Sequence, residues 1–333
     1  MYPINWKPLP LARLAATSAC ILALVCASGA VRAADVTVPG TTDFPESMTA
    51  SGDGTLYFSS LAGGRILKAA PGAAQASEWI KQGSNGLDSA IGVVADDKTD
   101  TLYVCSSDLS GAGLKIPTGA TPTALKTFDL KTGGPKGSFT LPPSTLPDQN
   151  PFCNDIAVAA DGTVYATDSL SGHILRLKPG AKELEIWAHD PRWDVKSFQL
   201  DGIAILPDGS VYANIYDGDG LYRVAVKADG SAGEITKLET SRPLFHSDGL
   251  KPMGANKLLM VEGETKGNLD LITVNGDKAT ITTVKGGFKG PVGLSQVGDT
   301  VYVLDVPLSY LFDPKLKTEK PPPFTAFAVK LPQ

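Results

Sequence analysis

Residues 154–180, NDIAVAADGTVYATDSLSGHILRLKPG, read as three short strands in series. The alternating IAV is followed by a turn at Asp161-Gly162, then TVYAT, then a second turn and HILRL, so that each strand meets the next through a hairpin. ELEIWAH follows as a fourth strand. The same phrase recurs as FPESMTASGDGTLYFSS (44–60), LDGIAILPDGSVYANIY (200–216) and SDGLKPMGANKLLMVE (247–262), with weaker copies in TDTLYVCSSD (99–108) and GDTVYVLDV (298–306).

Aligning these blocks on Tyr57, Tyr103, Tyr165, Tyr212, Leu259 and Tyr302 gives steps of 46, 62, 47, 47 and 43 residues. Six repeats of this length, each with short alternating strands and Asp-Gly or Gly-Asp turns, predict an all-β fold, a six-bladed β-propeller, because one four-stranded blade cannot bury both of its faces alone. The long step marks an insertion between the second and third blades, within a Pro- and Gly-rich stretch. The last repeat supplies only GPVGLSQVG, TVYVLDV and FTAFAVKLP, while ADVTVPG (34–40) is a strand without a partner. Pairing residues 35–39 with 324–331 would close the ring of blades and remove two open sheet edges.

Eleven residues before four of the aligned positions stand Glu46, Asn154, Asp201 and Asp248. Equivalent positions of a propeller lie on a ring around its axis, so three carboxylates and a carboxamide converge there and repel unless a cation sits among them. An isolated Asp-Gly pair is more often a turn than a ligand, and the shared register is what sets these apart. Residues three after the aligned positions, Ser60, Ser106, Asp168, Ile215, Glu262 and Asp305, are expected at the same mouth. Phe152, Trp193, Phe198 and Phe245 precede ring positions and are expected to wall an apolar pocket, with His246 and Glu262 at its edge. His173 and His189 fall in outer strands and read as ordinary surface or packing residues. Neither a GxSxG elbow, an HExxH pair nor a phosphate-binding P-loop is present in the sequence.

Lys7 and Arg13 precede the apolar, small-residue run LAATSACILALVCASGAV, which ends in Val31-Arg32-Ala33. This predicts a secretory signal over residues 1–33, a propeller over 34–333, and a periplasmic or secreted protein with no membrane span in the mature chain. Neither Cys20 nor Cys26 has the leucine three positions upstream that a lipoprotein signal would show. Removing Lys7, Arg13 and Arg32 takes the 30 basic residues to 27 against 35 acidic ones, a formal charge of −8 that argues against nucleic acid as partner. Cys105 and Cys153 remain, near one mouth of adjacent blades, either as a disulfide or as two buried thiols.

The FPES, CND, DGI and SDGL blocks, with the unit DGTVYATDSLSGHILRL, resemble the SMP-30/gluconolactonase/LRE-like family of six-bladed propellers, from about Thr41 to the C-terminus. The resemblance implies a divalent metal, most often Ca2+, on Glu46, Asn154, Asp201 and Asp248, and hydrolysis of a lactone or related ester, with Asp248 as general base or nucleophile. It also implies kinship to paraoxonase and diisopropylfluorophosphatase. Two positions depart from the family pattern. Asp201 stands where Asn is more usual, and Phe152 replaces an Arg that grips polar sugar lactones. Because a carboxylate bound to a cation is a poorer base, Asp168, Glu262 and Asp305 are held in reserve for that role. Other readings of the same sequence are a non-catalytic periplasmic binding propeller, or a lyase or strictosidine-synthase-like condensing enzyme.

Overall fold

The computed structural model describes residues 1–3, 33–109, 121–146, 150–194 and 197–331. The chain divides into Met1–Arg32 and Ala33–Gln333. Almost all of the expected signal segment lies outside the described residues. Among those that are described, no helix is long and apolar enough to cross a membrane.

Six sheets follow one another along Ala33–Gln333, each blade antiparallel within itself, and one edge strand of each faces the axis. These inner strands are Met48–Ala50, Ser89–Asp96, Cys153–Val158, Leu200–Ile205, Ser247–Pro252 and Pro291–Val297. Each contacts the inner strand before it and the one after it, and the last contacts the first, so the circle is complete. The chain is a six-bladed β-propeller.

The final blade closes as its strand count requires. Val36–Val38 pairs antiparallel with Phe324–Lys330, with Val36 opposite Ala326 and Val38 opposite Phe324. Val36 and Val38 are buried, and Phe324 meets Phe44 of the first blade with ring centroids 5.0 Å apart. The short strand also exchanges backbone hydrogen bonds with the outer edge of the first blade, Thr37 N–H to Ala74 O and Ala76 N–H to Thr37 O. One strand thus ties the last blade to the first and covers two edges.

Apolar clusters fill the spaces between blades. One joins Ile91, Cys105 and Leu125 of the second blade to Ile156, Ala166 and Leu175 of the third. Burying such a side chain contributes about 1.5–3 kcal/mol. Cys105 and Cys153 are disulfide-bonded across the same interface, with Cα atoms 5.1 Å apart. A feature with no sequence signal is Glu239–Thr240, which leaves the fourth blade and pairs in parallel with the outermost strand of the fifth.

Candidate metal and substrate site

Three of the inner strands share a local irregularity at their ring residues, whereas Glu46 precedes the regularly paired strand Met48–Ala50. The pairing of those three with the second strand of the blade shifts register between Cys153 and Ile156, between Leu200 and Ile203, and between Ser247 and Leu250. A bulge of this kind re-aims a side chain relative to the regular pleat, and the pairs inside these three are Asn154-Asp155, Asp201-Gly202 and Asp248-Gly249. Asp201-Gly202 and Asp248-Gly249 therefore lie in strands, not turns. Their glycines serve packing: a Cβ on Gly202 would meet Asp248 O at 2.5 Å, and one on Gly249 would meet Val292 O at 3.1 Å.

Neighbouring blades clamp the ring residues through their backbones. Thr167 Oγ1 donates to Asp201 O at 2.6 Å, and Asn214 Nδ2 donates to Asp248 O at 2.8 Å. Ser107 Oγ donates to Cys153 O at 3.1 Å, and Ser169 Oγ donates to Leu200 O at 2.5 Å. Each clamp runs from the second strand of one blade, or for Ser169 from the residue just past it, to the first strand of the next, so the ring is held by a relay that follows the circle.

Glu46, Asn154, Asp201 and Asp248 are all buried and all line one cavity of about 560 Å³. Asn154 Nδ2 donates to Asp201 Oδ2 at 3.0 Å and to Ser169 Oγ at 2.9 Å. Asn154 Oδ1 makes no hydrogen bond among the described residues. Asp248 Oδ1 accepts from Gly249 N–H at 2.9 Å, whereas Glu46 Oε2 is buried with no partner. Burial, and then the charge of Asp201, push the Glu46 carboxyl well above its ordinary range. Asp201 is raised by burial and by Asp155, and Asp248 by burial, Asp201 and Glu46. Lys251 opposes the rise at Glu46 and Asp201, yet its ammonium is already held at 3.0 Å by both oxygens of Asp155. Three carboxylates, one of them Glu46 with an orphaned oxygen, and the free carboxamide oxygen of Asn154 are the donor types that suit a hard divalent cation.

The wall above the ring is apolar. Phe152 and Phe198 meet edge to face at 5.5 Å, Phe198 meets Tyr216 at 6.3 Å, and Tyr216 stacks on His246 at 5.1 Å and 16°. Leu61, Ile91 and Leu109 continue the wall, and Leu308 and Phe312 reach it from the connection that precedes the last strand. His246 adopts the left-handed backbone region at φ 45°, and Thr265 Oγ1 lies 2.8 Å from its Nδ1.

Of the residues expected in the pocket, Phe152, Phe198 and His246 line it and three others stand elsewhere. Trp193 is fully buried between blades against Tyr222 at 5.8 Å, because its short helical turn directs it into the core. Phe245 is 43% exposed beneath Lys266. Glu262 is fully buried under Arg242, whose Nη2 lies 2.7 Å from Oε2, and it also accepts from Phe245 N–H.

Glu262 belongs to a set of latches. Ser106 accepts from Asp88 N–H, Asp168 from Phe152 N–H, and Asp305 from Gly290 N–H, each tying the end of a second strand to the chain that leads into the inner strand. The reserve bases Asp168, Glu262 and Asp305 are in this set, and none of them lines the cavity. Tyr216, Glu264, Thr265 and the Leu308–Phe312 wall were not foreseen. Tyr216 had a signal, since it stands four after Tyr212, the register at which Ser107 and Ser169 serve as clamps.

No family model matches the chain, and no curated protein does. Solved structures match it by fold. A gluconolactonase from Xanthomonas campestris superposes with a TM-score of 0.60 at 15% identity, covering 88% of this chain and 87% of that one. Virginiamycin B lyase from Staphylococcus aureus gives 0.56 at 14%, covering 81% and 80%. The PQQ-bound aldose sugar dehydrogenase of Streptomyces coelicolor gives 0.56 at 14%, covering 88% and 96%. At such identities the likeness is one of fold alone, and a hydrolase, a lyase and a dehydrogenase share it, so function has to be argued from the site.

Proposed function

We propose that the protein is an exported hydrolase that opens a lactone or related ester at a divalent cation, Ca2+ first among candidates, held by Glu46, Asn154, Asp201 and Asp248. The observation that carries this reading is the buried ring of three carboxylates on the floor of an apolar cavity, with the Lys251 ammonium that opposes its charge already engaged by Asp155. Likeness in fold to a gluconolactonase supports it. Bound there, a hard cation would supply polarisation of a carbonyl oxygen and compensation for the charge that develops on attack.

The chain's own residues do the rest. Asp248 lies on the cavity floor with Oδ1 fixed by Gly249 N–H, and its Oδ2 makes no hydrogen bond among the described residues, which suits it to take the proton of an attacking water. Asn154, tied to Asp201 and Ser169, keeps the ring in register. The wall of Phe152, Phe198 and Leu308 limits bulk water around the reacting group.

A panel of lactones and aryl esters, assayed with Ca2+ and after chelation, tests the reading. Hydrolysis that needs the cation is expected. No hydrolysis of any member would favour a binding propeller, and turnover without incorporation of solvent oxygen would favour a lyase. Export is tested by the N-terminal sequence of the protein recovered from outside the cytoplasm, expected to begin after Ala33.

A further inference from the structure

We propose that the cavity selects an ester or lactone carrying an apolar arm, with the arm lying against Phe152 and Phe198 and the Tyr216 hydroxyl donating a hydrogen bond to an ester oxygen. This names the substrate class of the site above and rests on the hydrolase reading.

Polar and apolar surfaces are segregated in the cavity. Its floor is the ring, its edge is His246, Glu264, Thr265 and Ser309, and its wall is Phe, Leu, Ile and Tyr. No lysine or arginine is among the described residues that line it. A polyhydroxylated lactone would turn hydroxyls toward that wall, at about 1–3 kcal/mol for each one left without a partner. An alkyl or aryl arm instead gains about 0.8 kcal/mol for each methylene buried. The arc from Phe152 through Phe198 and Tyr216 to His246 is continuous, with centroid spacings of 5.5, 6.3 and 5.1 Å, and gives such an arm an unbroken face.

Tyr216 adds an oriented donor of the kind an apolar pocket needs for specificity. Its backbone N–H is fixed by Gln199 O at 2.9 Å, and its ring is held between His246 and Phe198. The hydroxyl has no hydrogen-bond partner among the described residues. Burial opposes its ionisation, so it stays a neutral donor. The serines at the same register in the second and third blades clamp the next blade. Tyr216 is too long for that task and fronts the cavity instead.

The test is a series of δ-lactones, δ-valerolactone, δ-octalactone, δ-decalactone and δ-dodecalactone, beside gluconolactone, with Ca2+ present. Two quantities are read: kcat/KM of the native protein, and calorimetric affinity for the Asp248→Asn variant. Both are expected to rise about three- to fourfold for each methylene that the cavity covers, with gluconolactone lowest. Phe198→Ser, and the milder Phe152→Leu in case the first fails to fold, should flatten the rise. Tyr216→Phe should lower affinity about fivefold across the series and leave its slope. Hydrolysis with no dependence on the arm, or with gluconolactone preferred, overturns this inference and leaves the hydrolase reading standing. Affinity that rises with the arm but without turnover sustains the assigned ligand class and removes the hydrolase reading. Neither turnover nor dependence on the arm in binding overturns both.

Discussion

Asp168 and Asp248 show how one residue type serves two purposes within one repeat. Asp248 sits in a bulge and faces the axis, whereas Asp168 ends a second strand and latches Phe152 N–H. Burial pushes the Asp168 carboxyl from 3.8 up to about 6, and its Oδ2 is buried without a partner. The folded state then holds more protons than the unfolded state between those two values, so this group's contribution to stability falls as pH rises through them. Asp168→Asn keeps the acceptor for Phe152 and removes the charge. It should stabilise the protein by about 2–3 kcal/mol at pH 7.5 and by little at pH 4. Denaturant melts at the two values check this, and an equal effect at both would count against it. Glu262 makes the opposite case. Burial raises its carboxyl, but Arg242 and Phe245 N–H bring it below the usual range. Glu262→Gln should cost about 1.5–3 kcal/mol of stability with turnover retained, while Asp248→Asn should lower kcat about 10²- to 10⁴-fold and keep most of the metal. Full activity in the Asp248 variant with loss in the Glu262 variant would exchange their roles.

At the scale of elements, closure and cross-linking are separable. Deleting Asp35–Pro39 removes Val36 and Val38 from the core, exposes the edge of Phe324–Lys330 and frees the edge of the first blade. A fall of several degrees in Tm is expected by calorimetry, because losses of a few kcal/mol have about that effect in a domain this large. An unchanged melt would mean that the strand adds nothing to closure. The disulfide acts on the ring as well as on the fold. Cys153 directly precedes Asn154, and its carbonyl is clamped by Ser107. The closed loop, with a sequence separation of 48, is worth up to about 4 kcal/mol by chain entropy. Cys105→Ser with Cys153→Ser should lower Tm and also weaken Ca2+ binding, both read in one titration calorimetry and melting series. A lower Tm with unchanged Ca2+ affinity would confine the bridge to a structural role.

Over the whole molecule, what could be read from the sequence was what repeats. Alternation, turns and spacing are local, and six copies of them specify blades, the closing strand and a ring of equivalent positions. The pocket wall was less legible, because nearness to a ring residue in sequence leaves open which way a loop side chain turns. Trp193 turns into the core, Phe245 turns to solvent, and Phe198 turns to the cavity. Leu308 and Phe312 come from a connection with no counterpart in the other blades, so no register could reveal them. The central claim is that Glu46, Asn154, Asp201 and Asp248 together hold one cation. Titration calorimetry of the chelated protein with Ca2+ tests it most directly. The account predicts about one site per chain and a raised Tm on loading, because filling the ring relieves the repulsion of its carboxylates. No heat with Ca2+, Mg2+, Mn2+ or Zn2+, and a melt that none of them moves, would contradict it.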